Sequence, residues 1–202
     1  MIIFEKIRWK NFLSSGNTFL ETNLNDNSTT LIVGHNGAGK STILDALCFA
    51  LFNKPFREIK KDQLINSINL GGTEVELEFT MSSNHYRIRR GIKPNIFEIY
   101  LNGELLNQDA TIADYQKQLE QQILKFNYRS FTQVVILGAS TFVPFMELKT
   151  AHRREIIEDI LDIKVFSVMS MLTKIRIKEM DEQVKDILRE IDIVQNKIDT
   201  QK

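Results

Sequence analysis

The sequence predicts an α/β lobe followed by the start of a coiled-coil helix, and three observations predict it. First, an apolar run, Thr29-Thr30-Leu31-Ile32-Val33, ends at Gly34. It is followed by His35-Asn36-Gly37-Ala38-Gly39-Lys40-Ser41-Thr42 and then by the helical pattern Ile43-Leu44-Asp45-Ala46-Leu47. Second, three segments between Thr73 and Leu101 alternate apolar and polar residues, the pattern of strands with one wet face. Third, there is neither Gly nor Pro from Ala151 to the end, and Ile177, Met180, Val184, Ile187, Ile191, Val194 and Ile198 recur at alternating spacings of 3 and 4.

The first stretch organises the rest. It is the G-x-x-x-x-G-K-[ST] phosphate loop, flanked by a strand before and a helix after, as the motif requires. Gly34, Gly37 and Gly39 can curl successive N–H groups around a polyphosphate. The helix that follows aims its dipole and unpaired amides at the same anion. Lys40 reaches the β- and γ-phosphates and the Ser41 hydroxyl ligates Mg²⁺, with Asn36, Ala38 and Thr42 completing the cradle. A glycine-rich turn with a chance lysine is the alternative, and the two correct flanks weigh heavily against it. The expected ligand is a nucleoside triphosphate.

The elements follow in order. Met1 to Trp9 reads as a strand, Lys10 to Gly16 as a turn and Asn17 to Leu24 as a second, weaker strand. Asn25 to Ser28 is a polar turn before the strand that enters the phosphate loop at Thr29. The next helix, apolar almost all round, packs on a sheet and ends by Pro55. A polar connection with Lys60 and Lys61 leads to strands at Thr73 to Thr80, His85 to Arg90 and Asn95 to Leu101, with a hairpin turn at Asn102-Gly103. Ile112 to Phe126 reads as a helix with Ile112, Tyr115, Leu119 and Ile123 on one face. Phe131 to Leu137 reads as a strand, a helical start being the alternative. About 50 helical residues from Ala151 would span roughly 75 Å; an amphipathic helix docked on its own lobe is the second reading. The domains expected are therefore a lobe over 1–150 and a coiled-coil start over 151–202. The last residues, Gln201-Lys202, have no stop signal and read as a chain cut in mid-helix.

Composition narrows the class. The 202 residues are 43% hydrophobic, enough for a packed core. Lysine plus arginine balances aspartate plus glutamate at 26 each, so any nucleic-acid surface must be local. The single cysteine, Cys48, excludes an internal disulfide, and no apolar run approaches the roughly 18 residues of a membrane span. A soluble cytoplasmic protein, with no membrane partner, is expected.

Several weaker signals compete with structural readings. Arg87 and Arg89 share a strand face beside Arg90 and Lys93 and could meet DNA phosphates, although a solvated face is the heavier reading. His35, His85 and His152 lack metal-ligand company. Phe4, Trp9 and Phe12 suit a core better than a base-stacking platform. Leu70 to Glu74 reads as a turn before a strand. An apolar strand ending in Asp-Glu, which would hold Mg²⁺ for hydrolysis, is missing: Ile156-Ile157-Glu158-Asp159 has the reverse order inside a helical pattern, and Asp45 lies on the phosphate-loop helix.

That missing half, with a coiled coil leaving an N-terminal nucleotide lobe, resembles the N-terminal half of an ATPase of the SbcC/SMC superfamily. The double-strand-break-repair branch in its phage recombination-endonuclease form is the nearest likeness. The residues that carry it are Lys10 to Ser14, Gly34 to Leu47, Lys54-Pro55-Phe56-Arg57 with Lys60-Lys61, Phe131 to Met146, and Arg153 to Leu161 leading to Phe166. The resemblance implies an ABC-type P-loop lobe with a mixed sheet and an antiparallel edge sheet. It implies that ATP and Mg²⁺ are bound, and that the C-terminal half of the same protein supplies the acidic strand, so the fragment alone is inactive. Leu13, Ser14, Ile65, Asn66 and Ser67 match positions near the nucleotide. Two heads, one from a second copy, would sandwich two ATPs. A metal-dependent SbcD-type nuclease would grip the coiled-coil base near Glu155 to Lys178 and process double-stranded DNA, in the host cytoplasm if phage-encoded. An SMC-type DNA tether without a nuclease is the rival implication. Aligning Phe131 and Phe142 places Ala139 where the family has a phosphate-sensing glutamine; Gln133 lies six residues before it.

Overall fold

The computed structural model describes residues 2–106, 111–136, 143–161 and 163–200. The expected α/β lobe is built on a six-stranded sheet in the order β2-β1-β3-β4-β5-β6, all of its pairings antiparallel. The strands are β1 (Ile2–Lys10), β2 (Leu20–Asn23), β3 (Thr73–Met81), β4 (Asn84–Ile92), β5 (Ile96–Leu101) and β6 (Glu104–Leu105). The helices are α1 (Thr42–Phe52), α2 (Ile112–Gln118), α3 (Tyr128–Val134), α4 (Thr150–Ile160) and α5 (Lys164–Thr200). The chain divides into two units, Met1–Ile156 and Ile157–Lys202, so the division falls inside α4. The expected division into 1–150 and 151–202 lies six residues before this one, one residue into α4.

Alternation along the strands sorts the sheet into two unlike faces. The inner face carries Ile7, Trp9, Val75, Leu77, Phe79, Ile88, Phe97 and Ile99, all buried. Phe49, Ala50 and Leu51 of α1 are buried in the same core, and a fully buried Phe or Leu contributes about 1.5–3 kcal/mol. Phe12 meets Phe49 with ring centroids 5.7 Å apart, Phe4 meets Phe79 at 6.1 Å, and the Trp9 Nε1–H donates to Ser15 Oγ at 2.9 Å. These aromatics are core, not stacking platforms.

The outer face is a charge ladder. Glu21, Arg8, Glu76, Arg89 and Glu98 occupy paired positions across five strands, so unlike charges alternate along the row. Arg8 Nη2 donates to Glu76 Oε2 at 2.6 Å and Lys10 Nζ to Glu74 Oε2 at 3.1 Å; Arg89 pairs with both Glu74 and Glu98. Burial raises the Glu74 carboxyl pKa, but the hydrogen bonds and charges of Arg89 and Lys10 outweigh it and hold the carboxyl below its ordinary value. The arginine row that the sequence offered to DNA is thus largely neutralised. Arg87 lies over the Tyr100 ring, 4.2 Å from its centroid. Arg90 faces inward: it donates to Ala50 O at 2.9 Å and Gln116 Oε1 at 2.7 Å, with burial lowering its pKa.

Two of the expected strands do not form among the described residues. Thr29 to Val33 forms no strand, and Leu31, Ile32 and Val33 are 84%, 48% and 77% exposed. A strand needs a neighbour to take its N–H and C=O groups, and among the described residues none lies beside this one. Of the expected strand Phe131 to Leu137, the described part, 131–136, belongs instead to α3 and the turn after it. The Asn127 side chain caps that helix, accepting from the Ser130 N–H at 2.9 Å. Phe131 packs on Phe4 and Phe52, and Tyr128 OH donates to Pro55 O at 2.8 Å.

The remaining helices follow their capping chemistry. α1 ends at Asn53 in the left-handed conformation, before Pro55, its N–H donating to Phe49 O. α2 passes into a π-helical turn over Leu119–Leu124 that stops at left-handed Lys125, with Tyr115, Leu119 and Ile123 buried and Ile112 exposed. The expected single helix from Ala151 is two helices. The Ile163 N–H closes back on Glu158 O, a terminating bond, before α5 starts. The 37 residues of α5 span about 55 Å at ~1.5 Å each, and its seam residues, Ile177 to Ile198, are all roughly half exposed. Leu137 to Thr141 and Gln201-Lys202 lie outside the described residues, and with them the Ala139 substitution and the chain end.

Candidate nucleotide site

The phosphate loop owes its shape to its glycines. Gly37 and Gly39 sit at φ +86° and +87°, where a side chain is strained, and a turn closes between Ala38 N–H and His35 O at 3.1 Å. A Cβ on Gly34 would stand 3.2 Å from the Ala38 Cβ, so the loop's first residue is held small as well. Thr42 N–H donates back to Gly39 O at 2.9 Å, turning the chain into α1. Ser41 is the helix N-cap, and its side chain makes no capping hydrogen bond, which leaves the hydroxyl oxygen open to a hard cation. Lys40 Nζ donates to Gly34 O at 2.7 Å and His35 O at 2.8 Å. An ammonium has three N–H groups, so one is left to meet an anion lying in the loop.

A second set of loops meets the first across a cleft of about 560 Å³. Asn36, Gly37, Gly39, Lys40, Ser41 and Thr42 line it from the phosphate loop, and Leu13, Ser14, Ile65 and Ser67 from the other set. Leu13 sits at φ +55°, a strained conformation for a branched side chain, and is fixed there by its N–H on Leu64 O at 2.7 Å. Phe12 and Ile65 form an isolated antiparallel bridge beside it. Residues thus brought together from distant parts of the chain leave out Gly34 and Ala38, which are exposed and shape the loop without lining the cleft.

Asn66 is the expected site residue that the structure uses differently. It is buried, its Nδ2 donates to Leu13 O at 3.1 Å and Ser15 O at 3.0 Å, and its Oδ1 accepts from the Ile68 and Asn69 N–H groups. Its hydrogen bonds all go to the backbone, so it ties the two loops rather than facing the cleft. Asn11, left-handed at φ +49°, does the same work through Asn17, Asn69 and Gly72.

Two cleft residues escaped the sequence reading of the site. Arg57 lines the cleft while a buried acid holds it from behind: Asp45, 0% exposed, accepts from Arg57 Nε at 2.7 Å, Nη2 at 2.6 Å and the Arg57 backbone N–H at 3.0 Å. Asp45 leaves α1 facing inward, four residues after Ser41, so the helix that carries the phosphate loop also aims an arginine into the cleft. Gln63 is the other. The signal for Asp45 was its position, an acid inside an otherwise apolar helix.

The remaining candidates are structural. Lys61 lies over the Phe49 ring at 5.8 Å, and burial, with Arg90 nearby, lowers its pKa. Burial pushes the Cys48 thiol up to about 12, which makes it unreactive. His85 pairs with Glu5 at 3.3 Å, and among the described residues no cluster of three or more His, Cys, Asp or Glu could hold a metal.

The AAA domain family profile matches residues 6–199. The chain belongs to the AAA domain family. Exonuclease subunit 2 of Enterobacteria phage T4 is 44% identical over 169 residues, covering 84% of this chain and 30% of that protein. The DNA double-strand break repair Rad50 ATPase of Thermoplasma volcanium is 29% identical over 191 residues, covering 92% of this chain and 21% of that protein. Among solved structures, the Smc head domain with a coiled coil and joint derived from Pyrococcus yayanosii superposes with a TM-score of 0.67 at 23% identity, covering 99% of this chain and 40% of that one. The fold of this AAA domain is therefore that of an Smc head, and the resemblance to the SbcC/SMC superfamily holds. The chain spans less than a third of the T4 and Thermoplasma relatives. Family membership implies a nucleotide ligand.

Proposed function

We propose that this chain is the N-terminal, ATP-holding half of the head of a DNA double-strand-break-processing ATPase. The observation that carries this is the pairing of a shaped phosphate loop with an exposed, unpaired apolar run at its entrance. Lys40, Ser41 and the loop glycines suit a triphosphate, while Leu31, Ile32 and Val33 lie exposed with no neighbour among the described residues. A C-terminal half of the same protein would complete the sheet along Thr29 to Val33, bury that run and bring the acidic group hydrolysis needs.

ATP fits the cradle, its phosphates against the loop amides, Lys40 and Arg57. Mg²⁺ would be held by Ser41 Oγ, phosphate oxygens and water, and would neutralise charge developing on the phosphates. Within this chain, Lys40 and Arg57 orient the triphosphate and Ser41 places the metal; none of the cleft's side chains is a base that could activate water. The names of the T4 and Thermoplasma relatives, an exonuclease subunit and a DNA double-strand break repair ATPase, support a role in processing broken double-stranded DNA beside a nuclease, which the SbcC resemblance implies is metal-dependent. In α5, Val165, Phe166, Val168 and Leu172 are 50–65% exposed, apolar surface suited to that nuclease. The Ile177 to Ile198 seam suits a returning coiled-coil strand. A second copy would close over the nucleotide, and the site of action would be the cytoplasm, that of the host if the gene is viral. Among the described residues no helix is long and apolar enough to cross a membrane.

The test is digestion of linear duplex DNA by the longer polypeptide with its nuclease, with and without ATP. ATP should change the digestion rate several-fold, and Lys40→Ala should remove the ATP effect while leaving the basal nuclease rate. A digestion rate indifferent to ATP contradicts the proposal.

A further inference from the structure

The cleft lining contains one amide whose two ends are in different states. Gln63 belongs to the 3₁₀ turn Lys61–Leu64 and lines the cleft. Its Oε1 accepts the Lys60 backbone N–H at 2.8 Å, and its own backbone N–H donates to Lys60 O at 3.0 Å. That reciprocal pair fixes which end of the amide is oxygen, because only a carbonyl can receive the Lys60 N–H. The Nε2 group is thereby turned outward, and among the described residues it has no acceptor. On either side of this turn in the lining are Leu13 and Ile65, apolar side chains that can cover the face of a base. The phosphate loop has cations and amides enough for the triphosphate, and Leu13, Gln63 and Ile65 line the cleft from outside that loop.

We infer that Gln63 is the residue that recognises the nucleoside, its Nε2 donating to a nucleoside acceptor, a ring nitrogen of the base or a hydroxyl oxygen of the ribose, between Leu13 and Ile65. The inference rests on the proposed nucleotide reading of the cleft. It makes the site bipartite: Lys40, Ser41 and Arg57 hold phosphate whatever is attached to it, and Gln63 supplies the preference for what is attached. An acceptor matched to a preset donor binds better than one that must displace water without replacing its bonds.

The experiment compares ATP with inorganic tripolyphosphate by calorimetric titration of the chain and of Gln63→Leu, Gln63→Glu and Lys40→Ala. Gln63→Glu keeps an oxygen for the Lys60 N–H and so preserves the turn, but removes the donor. Both Gln63 variants should lose about tenfold in ATP affinity, the value of one neutral hydrogen bond, while tripolyphosphate binds as before. Repeating the titration with 2′,3′-dideoxy-ATP separates the two acceptors. If the variants still lose affinity the partner is the base, if they no longer do it is the ribose, and either result supports the donor role. Unchanged ATP affinity in both variants, or equal losses for ATP and tripolyphosphate, overturns it. If instead Lys40→Ala leaves both ligands unaffected, the nucleotide reading itself has failed.

Discussion

Lys40→Ala should weaken ATP binding by about 10- to 150-fold, the value of a charge-assisted hydrogen bond of roughly 1.5–3 kcal/mol. The ammonium holds two loop carbonyls, of Gly34 and His35, and keeps one N–H for phosphate, so its loss removes a phosphate donor and loosens the cradle together. The fold should be spared. Lys40 is half-buried at a loop, and α1 and the inner sheet face owe nothing to it. Calorimetry with ATP, alongside a thermal melt of the same sample, checks both statements. A variant that binds ATP like the parent would mean that the triphosphate lies elsewhere.

Arg57→Ala should have the largest effect on stability of any change in the cleft. The Asp45 carboxylate is 0% exposed and is held by the Arg57 guanidinium and by the Arg57 backbone N–H. Removing the arginine side chain strands a buried charge, which costs about 3–5 kcal/mol; because the guanidinium is half in water, the lower end of that range applies. In a chain of this size that is a fall of about 6–12 °C in Tm. Asp45→Ala leaves a cation that can turn to solvent and should cost less. The double variant Asp45→Ala/Arg57→Ala should be more stable than Arg57→Ala alone, the mark of a buried charge made worse by losing its partner. Melting curves of the three decide it, and an Arg57→Ala protein no less stable than Asp45→Ala contradicts the arrangement. Both single variants should also bind ATP more weakly, since each loses the aimed guanidinium.

The phosphate loop was legible because its chemistry is local: glycine spacing, Lys40 and Ser41 mean the same thing before and after folding. The antiparallel strands were legible through their alternation, and Asn102-Gly103 through its turn chemistry. What could not be read was anything that depends on a neighbour. Thr29 to Val33 has strand composition, but composition does not say whether a partner strand stands beside it. Phe131 to Ile136 looks like a strand by its β-branched residues, yet the Asn127 cap and the contacts of Phe131 with Phe4 and Phe52 decide for a helix. The arginines of β4 look like a DNA surface in one dimension; only pairing sets Glu74, Glu76 and Glu98 beside Arg89. The family resemblance sets Asn66 near the nucleotide, and its role as a tie between loops appears only when Leu13 and Ser15 are brought beside it.

Whether the chain holds half of a nucleotide site is measured most directly by ATP hydrolysis, following phosphate release from the chain alone and after adding the C-terminal half proposed to pair with Thr29 to Val33. A half-site predicts binding with negligible turnover for the chain alone, and turnover that appears on addition and disappears again with Lys40→Ala. Substantial hydrolysis by the chain on its own would contradict it.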